Sequence, residues 1–172
     1  MADFAAMPLT AMTGQGPIVV RPRLFCVSWP DRLARPARAP VPGQAPVPVG
    51  EARATNSGAL FSVAPGACHV CLDDATTVFG SVTDALTTNC SDALLQWVMQ
   101  PNHLDALVAA YAAFALPQLL PGSATALSIA GERMMLARPS NGPIWLFHEL
   151  ALFDWFSSLM IRIGIHDNSQ NK

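Results

Sequence analysis

The run Ile144-Trp145-Leu146-Phe147-His148-Glu149-Leu150-Ala151-Leu152-Phe153-Asp154-Trp155-Phe156-Ser157-Ser158-Leu159-Met160-Ile161-Arg162-Ile163 is apolar almost all the way round. Read as one helix, it points large side chains in every direction, and a helix without a polar face is buried on all sides. The preceding Pro139-Ser140-Asn141-Gly142 is a turn signal, and Pro143 suits the first helical position, where its missing N–H costs nothing. The run is long enough to span a bilayer, but His148, Glu149 and Asp154 near its middle would be costly in hydrocarbon. No membrane span is expected there. None is expected between Ala106 and Gly131 either, where Pro117, Pro121 and Gly122 cut the uncharged stretch below the roughly 20 residues a span needs.

Upstream, Leu104, Leu107, Val108, Tyr111 and Phe114 recur at helical spacing after Pro101 and the capping residue Asn102. The opposite face carries Ala106, Ala109, Ala110, Ala112 and Ala113 with Asp105 as its one charge, so this helix too is expected to be covered on both sides. Thr125 to Ala130 and Arg133 to Arg138 read as a hairpin turning at Gly131-Glu132. Ala59 to Ala64 and Ala67 to Leu72 read as two strands split by Pro65-Gly66. Asp73 or Asp74 is placed to cap a helix through Val78, Phe79, Val82 and Leu86, and Ser91 to cap another through Leu94, Leu95, Trp97 and Val98.

The first fifty residues differ. They hold nine of the fifteen prolines, a density that forbids a helix and discourages a central strand. Arg35 to Gly50 reads as an extended, polyproline-like connector. Inside this arm, Ile18 to Val20 and Leu24 to Trp29 are β-formers, with Phe25, Val27 and Trp29 on one face, read as an edge strand or a strand lent to a partner. The expected organisation is an arm over 1–56 and a body over 57–172.

Charged residues make up 13% of the chain, about half the usual share, while apolar residues reach 51%, so the shortage lies in residues that normally face water. Positive charge is almost entirely arginine, the cation favoured at interfaces. Up to Thr55 six arginines face three acids, so the arm is mildly basic and the rest acidic. Nucleic acid is therefore a possible arm partner, although the arginines form no dense run. The first twenty residues lack a basic segment followed by an apolar one, which sets an expectation of an intracellular or virion setting.

Four cysteines are too sparse for a disulfide framework in a chain of 172 residues. Cys68-His69-Val70-Cys71 is the sharpest local pattern. With Cys90 and His103 downstream, its thiolates and imidazole are the ligand types that close a tetrahedral zinc site. The run from Cys68 to Asp73 resembles the opening of a RING finger, but the ligands that would complete one are missing and no ligase activity is implied. Without a metal, these cysteines serve as small apolar core residues. No nucleophile elbow or phosphate-binding glycine loop is present.

The expected fold is therefore α+β: a small body of short strands and three or four helices, with the C-terminal helix buried and a long arm attached. The expected function is that of a structural or accessory subunit of a large assembly, such as a viral shell or a multi-subunit complex, and not an enzyme. Phe25, Val27, Trp29, Trp145, Phe147, Phe153, Trp155 and Phe156 are its candidate interface anchors, since large aromatics dominate interface energetics. No cofactor is required. The alternative is a zinc-stabilised nucleic-acid-binding module held by Cys68, Cys71, Cys90 and His103.

Overall fold

The computed structural model describes residues 16–29, 45–73, 82, 85–112 and 118–165. Ten antiparallel strands form two five-stranded sheets. The first sheet has the order β1 (Ile18–Val20), β7 (Leu94–Met99), β10 (Ile144–Glu149), β9 (Glu132–Arg138), β8 (Ser123–Ile129). The second has the order β3 (Ala52–Thr55), β4 (Gly58–Phe61), β5 (Ala67–Leu72), β2 (Arg23–Ser28), β6 (Leu86–Asn89). Two α-helices, α1 (Pro101–Tyr111) and α2 (Phe153–Arg162), and a 3-10 turn over Leu150–Leu152 complete the described elements. The expected α+β body of three or four helices is thus corrected to a mostly β sandwich.

The deciding difference lies in the C-terminal apolar run. It is not one helix: Ile144–Glu149 is a strand, Leu150–Leu152 a single 3-10 turn, and only Phe153–Arg162 is α-helical. A strand buried on both faces is apolar at every position, so its pattern matches that of a buried helix. β10 is the middle strand of its sheet, paired with β7 and β9. Its Trp145 and Phe147 face the second sheet, while Ile144 and Leu146 face the helices. α2 itself is half-buried: Phe156, Leu159 and Met160 point inward, and Asp154, Ser158, Ile161 and Arg162 lie in solvent. Leu94–Met99 is likewise a strand instead of the expected helix, its Leu95, Trp97 and Met99 facing the helices and its Val98 facing the other sheet. Leu86 begins β6, and the remainder of the helix expected after Asp73 lies largely outside the described residues.

Three apolar clusters define the layers. Between the sheets sit Leu24, Ala52, Ala59, Phe61, Cys71, Val98, Ala124, Ala137, Trp145 and Phe147. Phe61 of β4 stacks on Phe147 of β10 across the gap, with ring centroids 5.3 Å apart. The outer face of the first sheet packs under α1 and α2 through Trp97, Met99, Leu104, Leu107, Leu136, Leu146, Phe156 and Met160. The outer face of the second sheet gathers Val27, Val47, Leu60, Cys68, Val70 and Leu72.

The sheets join along one side. Ala52 N–H donates to the Gly122 carbonyl and Ala124 N–H to the Gly50 carbonyl, both at 2.8 Å, so β3 and β8 shield each other's edges. Along the other side the chain crosses twice between sheets, through Arg21-Pro22 and through the turn at Cys90 to Ala93. Ser91 holds that turn: its Oγ accepts from Leu24 N–H at 3.0 Å.

The segment read as an arm enters both sheets. β1 and β2 are integral strands, and a boundary at residue 56 falls inside the β3–β4 hairpin, where Thr55 pairs with Gly58. β2 is no edge strand: it lies between β5 and β6, hydrogen-bonded on both sides, and so cannot be lent to a partner. Much of the Pro-rich connector lies outside the described residues. The β8–β9 hairpin forms as expected with its turn one residue earlier, at Ala130 and Gly131, both with positive φ. Such a pair matches the twist of a two-residue hairpin turn.

Candidate functional site

Among the described residues the buried polar side chains are Ser62, His69, Gln96 and His148; Ser62 is spent on the Ala64 and Ala67 carbonyls, and the others, with Cys71, form three sites where the layers meet. His69 of β5 projects between the sheets and stacks on Phe61 with centroids 4.9 Å apart. Its place follows from register: Thr88, Cys26, His69, Phe61 and Ala52 form one row across five strands. The ring is 8% exposed and its Nδ1 is buried without a hydrogen-bond partner. Burial lowers its pKa to about 4, partly opposed by a backbone contact to Phe61. It is neutral at pH 7. Next to it, the Cys71 thiol donates a weak bond to Oε1 of the buried Gln96, at 3.7 Å across the sheets.

The third group is His148 of β10, 1% exposed on the helix side of the first sheet. Trp97 Nε1–H donates to its Nε2 at 2.7 Å, which leaves Nδ1 to carry the proton and donate to the Glu149 carbonyl at 2.7 Å. Both nitrogens are used and the tautomer is fixed. Burial lowers this pKa too, with the Glu149 carbonyl opposing. Phe156 closes the pocket, its ring centroid 4.9 Å from the imidazole.

The expected zinc ligands are not brought together. Side chains alternate along a strand, so residues three apart point to opposite faces. Cys68 accordingly belongs to the outer cluster of the second sheet, and Cys71 to the cluster between the sheets. His103 stands on α1, beyond the first sheet, and Cys90 on the turn after β6. No group of three or more His, Cys, Asp or Glu side chains fit to hold a metal occurs among the described residues. Burial pushes the Cys68 and Cys71 thiols up to about 12, which disfavours the thiolates that metals and electrophiles need.

Several expected interface anchors serve the chain's own core. Val27, Trp145, Phe147 and Phe156 are buried inside it, whereas Phe25, Trp29, Phe153 and Trp155 are half-buried. The alanine face of α1 behaves differently from the expectation that both sides are covered: Asp105, Ala109 and Ala110 are exposed in the isolated chain, while Leu104 and Leu107 point into the core. Among the described residues, Leu86, Val49, Leu120 and Ile161 are the large apolar residues standing clearly in solvent. The residues that the sequence did not single out are Gln96 and Cys26. Both became visible only once strand register placed them beside His69 and Cys71.

No protein-family model matches the chain, and no curated protein matches it significantly. Among solved structures, it is similar to a chain of the heterotetrameric sarcosine oxidase from Corynebacterium sp. U-96 in complex with pyrrole 2-carboxylate. The TM-score is 0.59 at 13% identity, covering 88% of this chain and 85% of that one. Identity this low is a likeness of fold. No helix among the described residues is long and apolar enough to cross a membrane.

Proposed function

We propose that this chain is an accessory subunit of a multi-subunit enzyme complex, contributing packing surfaces and no reacting group. The observation that carries this reading is the extent of the likeness just described. It spans nearly the whole of both chains, and the other chain belongs to a heterotetrameric enzyme. Two features of the chain's own residues agree with it. Burial lowers the pKa of both buried histidines and pushes two of its thiols up to about 12, so burial works against their use as acid, base or nucleophile. Its charge-poor composition leaves the exposed side of α1 with Ala109 and Ala110, small residues over which a second backbone can approach closely.

Sedimentation velocity of the purified chain over a wide concentration range tests this. The expected outcome is association or poor solubility in isolation, relieved when Ala109→Glu and Ala110→Glu place charge on that face without touching the core. A well-behaved monomer at every concentration, unchanged by the two substitutions, refutes the subunit reading.

A further inference from the structure

Two of the four cysteines remain outside the buried clusters' interiors: Cys26 and Cys90 are both half-exposed and both free thiols. They are 64 positions apart in sequence, yet neighbouring strands bring them side by side. Cys26 pairs with Thr88 of β6, and Cys90 lies two residues beyond Thr88, where its N–H donates to the Leu24 carbonyl at 2.8 Å. An even spacing on each strand puts both thiols on the same face of the sheet, the one turned toward the first sheet. Cys90 packs there beside Leu24, and its Sγ lies at an exposed position, 3.6 Å from the Thr88 carbonyl. Burial raises the Cys26 pKa, and the neighbouring Cys90 raises it further, as expected of adjacent thiols.

We propose that Cys26 and Cys90 form a reversible disulfide between β2 and β6, a redox modification that staples the last strand of the second sheet in place. The pair is a diagonal one, and in antiparallel sheets such Cα atoms lie about 7–8 Å apart. A relaxed disulfide holds them at about 4.4–6.8 Å, so closure requires Cys90 to move by about 1 Å toward Cys26. Cys90 follows directly on the four-residue edge strand β6, whose Leu86, Thr88 and Asn89 are exposed, so the movement is taken up at the end of that strand against the Cys90 N–H to Leu24 carbonyl bond. The resulting bond is strained and therefore readily reduced, which is what a reversible modification requires.

The chemistry closes with a small-molecule disulfide of the oxidised-glutathione class. The thiolate of Cys90, the more accessible sulfur, attacks one sulfur of that disulfide. The S–S bond breaks, one small thiolate leaves, and Cys90 carries a mixed disulfide. Cys26 then loses its proton to solvent and attacks the Cys90 sulfur, expelling the second small thiolate. Two protein thiols are oxidised and one external disulfide is reduced to two thiols. Cys71 lies on the same face as Cys26 and diagonal to it across β5, but it is buried and its thiol is pushed up to about 12, so the small disulfide does not reach it; Cys68 is buried on the opposite face.

The test is incubation of the intact, folded chain with oxidised glutathione, acid quenching, alkylation of remaining thiols, and mass analysis with a non-reducing peptide map. The expected product has lost two hydrogen atoms, carries one Cys26–Cys90 cross-linked peptide and reverts with dithiothreitol. Hydrogen exchange of the Leu86–Asn89 amides slows on oxidation. In Cys26→Ser the reaction stops at a stable mixed disulfide on Cys90. A wild-type chain that keeps glutathione on Cys90 while Cys26 stays alkylatable, or one that cross-links through Cys68 or Cys71, overturns the proposal. Because the wild-type map alone decides this, the outcome does not depend on how well the variant folds.

Discussion

Acidification should destabilise this protein, and His69 should account for most of the measurable part. Its folded-state pKa is about 4 against 6.5 for the free group, because the imidazole is buried between the sheets. A lowered pKa means that the unfolded chain binds the proton first. Stability is therefore complete above about pH 6.5 and drains away as pH falls toward about 4. The difference of about 2.5 units corresponds to roughly 3.5 kcal/mol over the full window at about 1.4 kcal/mol per unit. That is a substantial part of the roughly 5–15 kcal/mol that holds a domain together. His148 shifts in the same direction and adds to the loss, while the raised carboxyl of the partly exposed Asp73 opposes it at the acid end. Urea unfolding followed by tryptophan fluorescence, at about pH 7.5 and about pH 4.5, measures the change. The control is His69→Phe, whose ring can keep the stack on Phe61 but cannot titrate. It also removes the unpartnered Nδ1, so at neutral pH it should cost little. Wild type should lose about 2.5 kcal/mol more than the variant between the two pH values, since the lower one stops just short of the folded-state pKa. Equal losses in the two proteins would show that His69 is not the group responsible.

Other substitutions test other layers. Gly58→Ala drives a Cβ into the Cys71 carbonyl at a φ of +143°, so it should cost more than about 3 kcal/mol in the same unfolding assay. Trp97→Phe keeps the ring in the core but deprives His148 Nε2 of its donor, and should cost about 1–3 kcal/mol. Native Cys68 and Cys71 should resist a thiol reagent that labels Cys90 promptly, and urea should abolish the difference, as read by peptide mass. A strong chelator should leave the thermal midpoint unchanged, because Cys68 lies on the outer face of the second sheet and His103 on α1, both apart from Cys71 and Cys90 between the sheets.

Legibility in the sequence followed the strength of local rules. α1 could be read because Pro101 fixes its start and its large residues share one face. The β8–β9 hairpin could be read because Gly131 supplies a backbone conformation that turns need. The alternation of Phe25, Val27 and Trp29 was read as a strand, and only its position as an internal strand was missed. Leu94–Met99 and Ile144–Glu149 were misread, since each is covered on both faces and carries no polar alternation. The C-x-x-C pattern misled for a related reason. On a tight turn that spacing converges two thiols, but on β5 it sends them to opposite faces. The nearness of Cys26 to Cys90 and the seat of His69 depend on contacts between distant segments, which spacing along the chain does not encode.

The sequence by itself determined where the chain breaks and turns, through its prolines, glycines and small polar residues, because those preferences act within a few residues. It also determined that most side chains would avoid water. Which apolar runs became strands was decided only by tertiary structure. A run without a polar side is compatible with either a helix or a strand until its neighbours are known. For Ile144 to Glu149 those neighbours are two strands in its own sheet, a second sheet on one face and two helices on the other, and together they leave an extended strand as the form that satisfies its backbone.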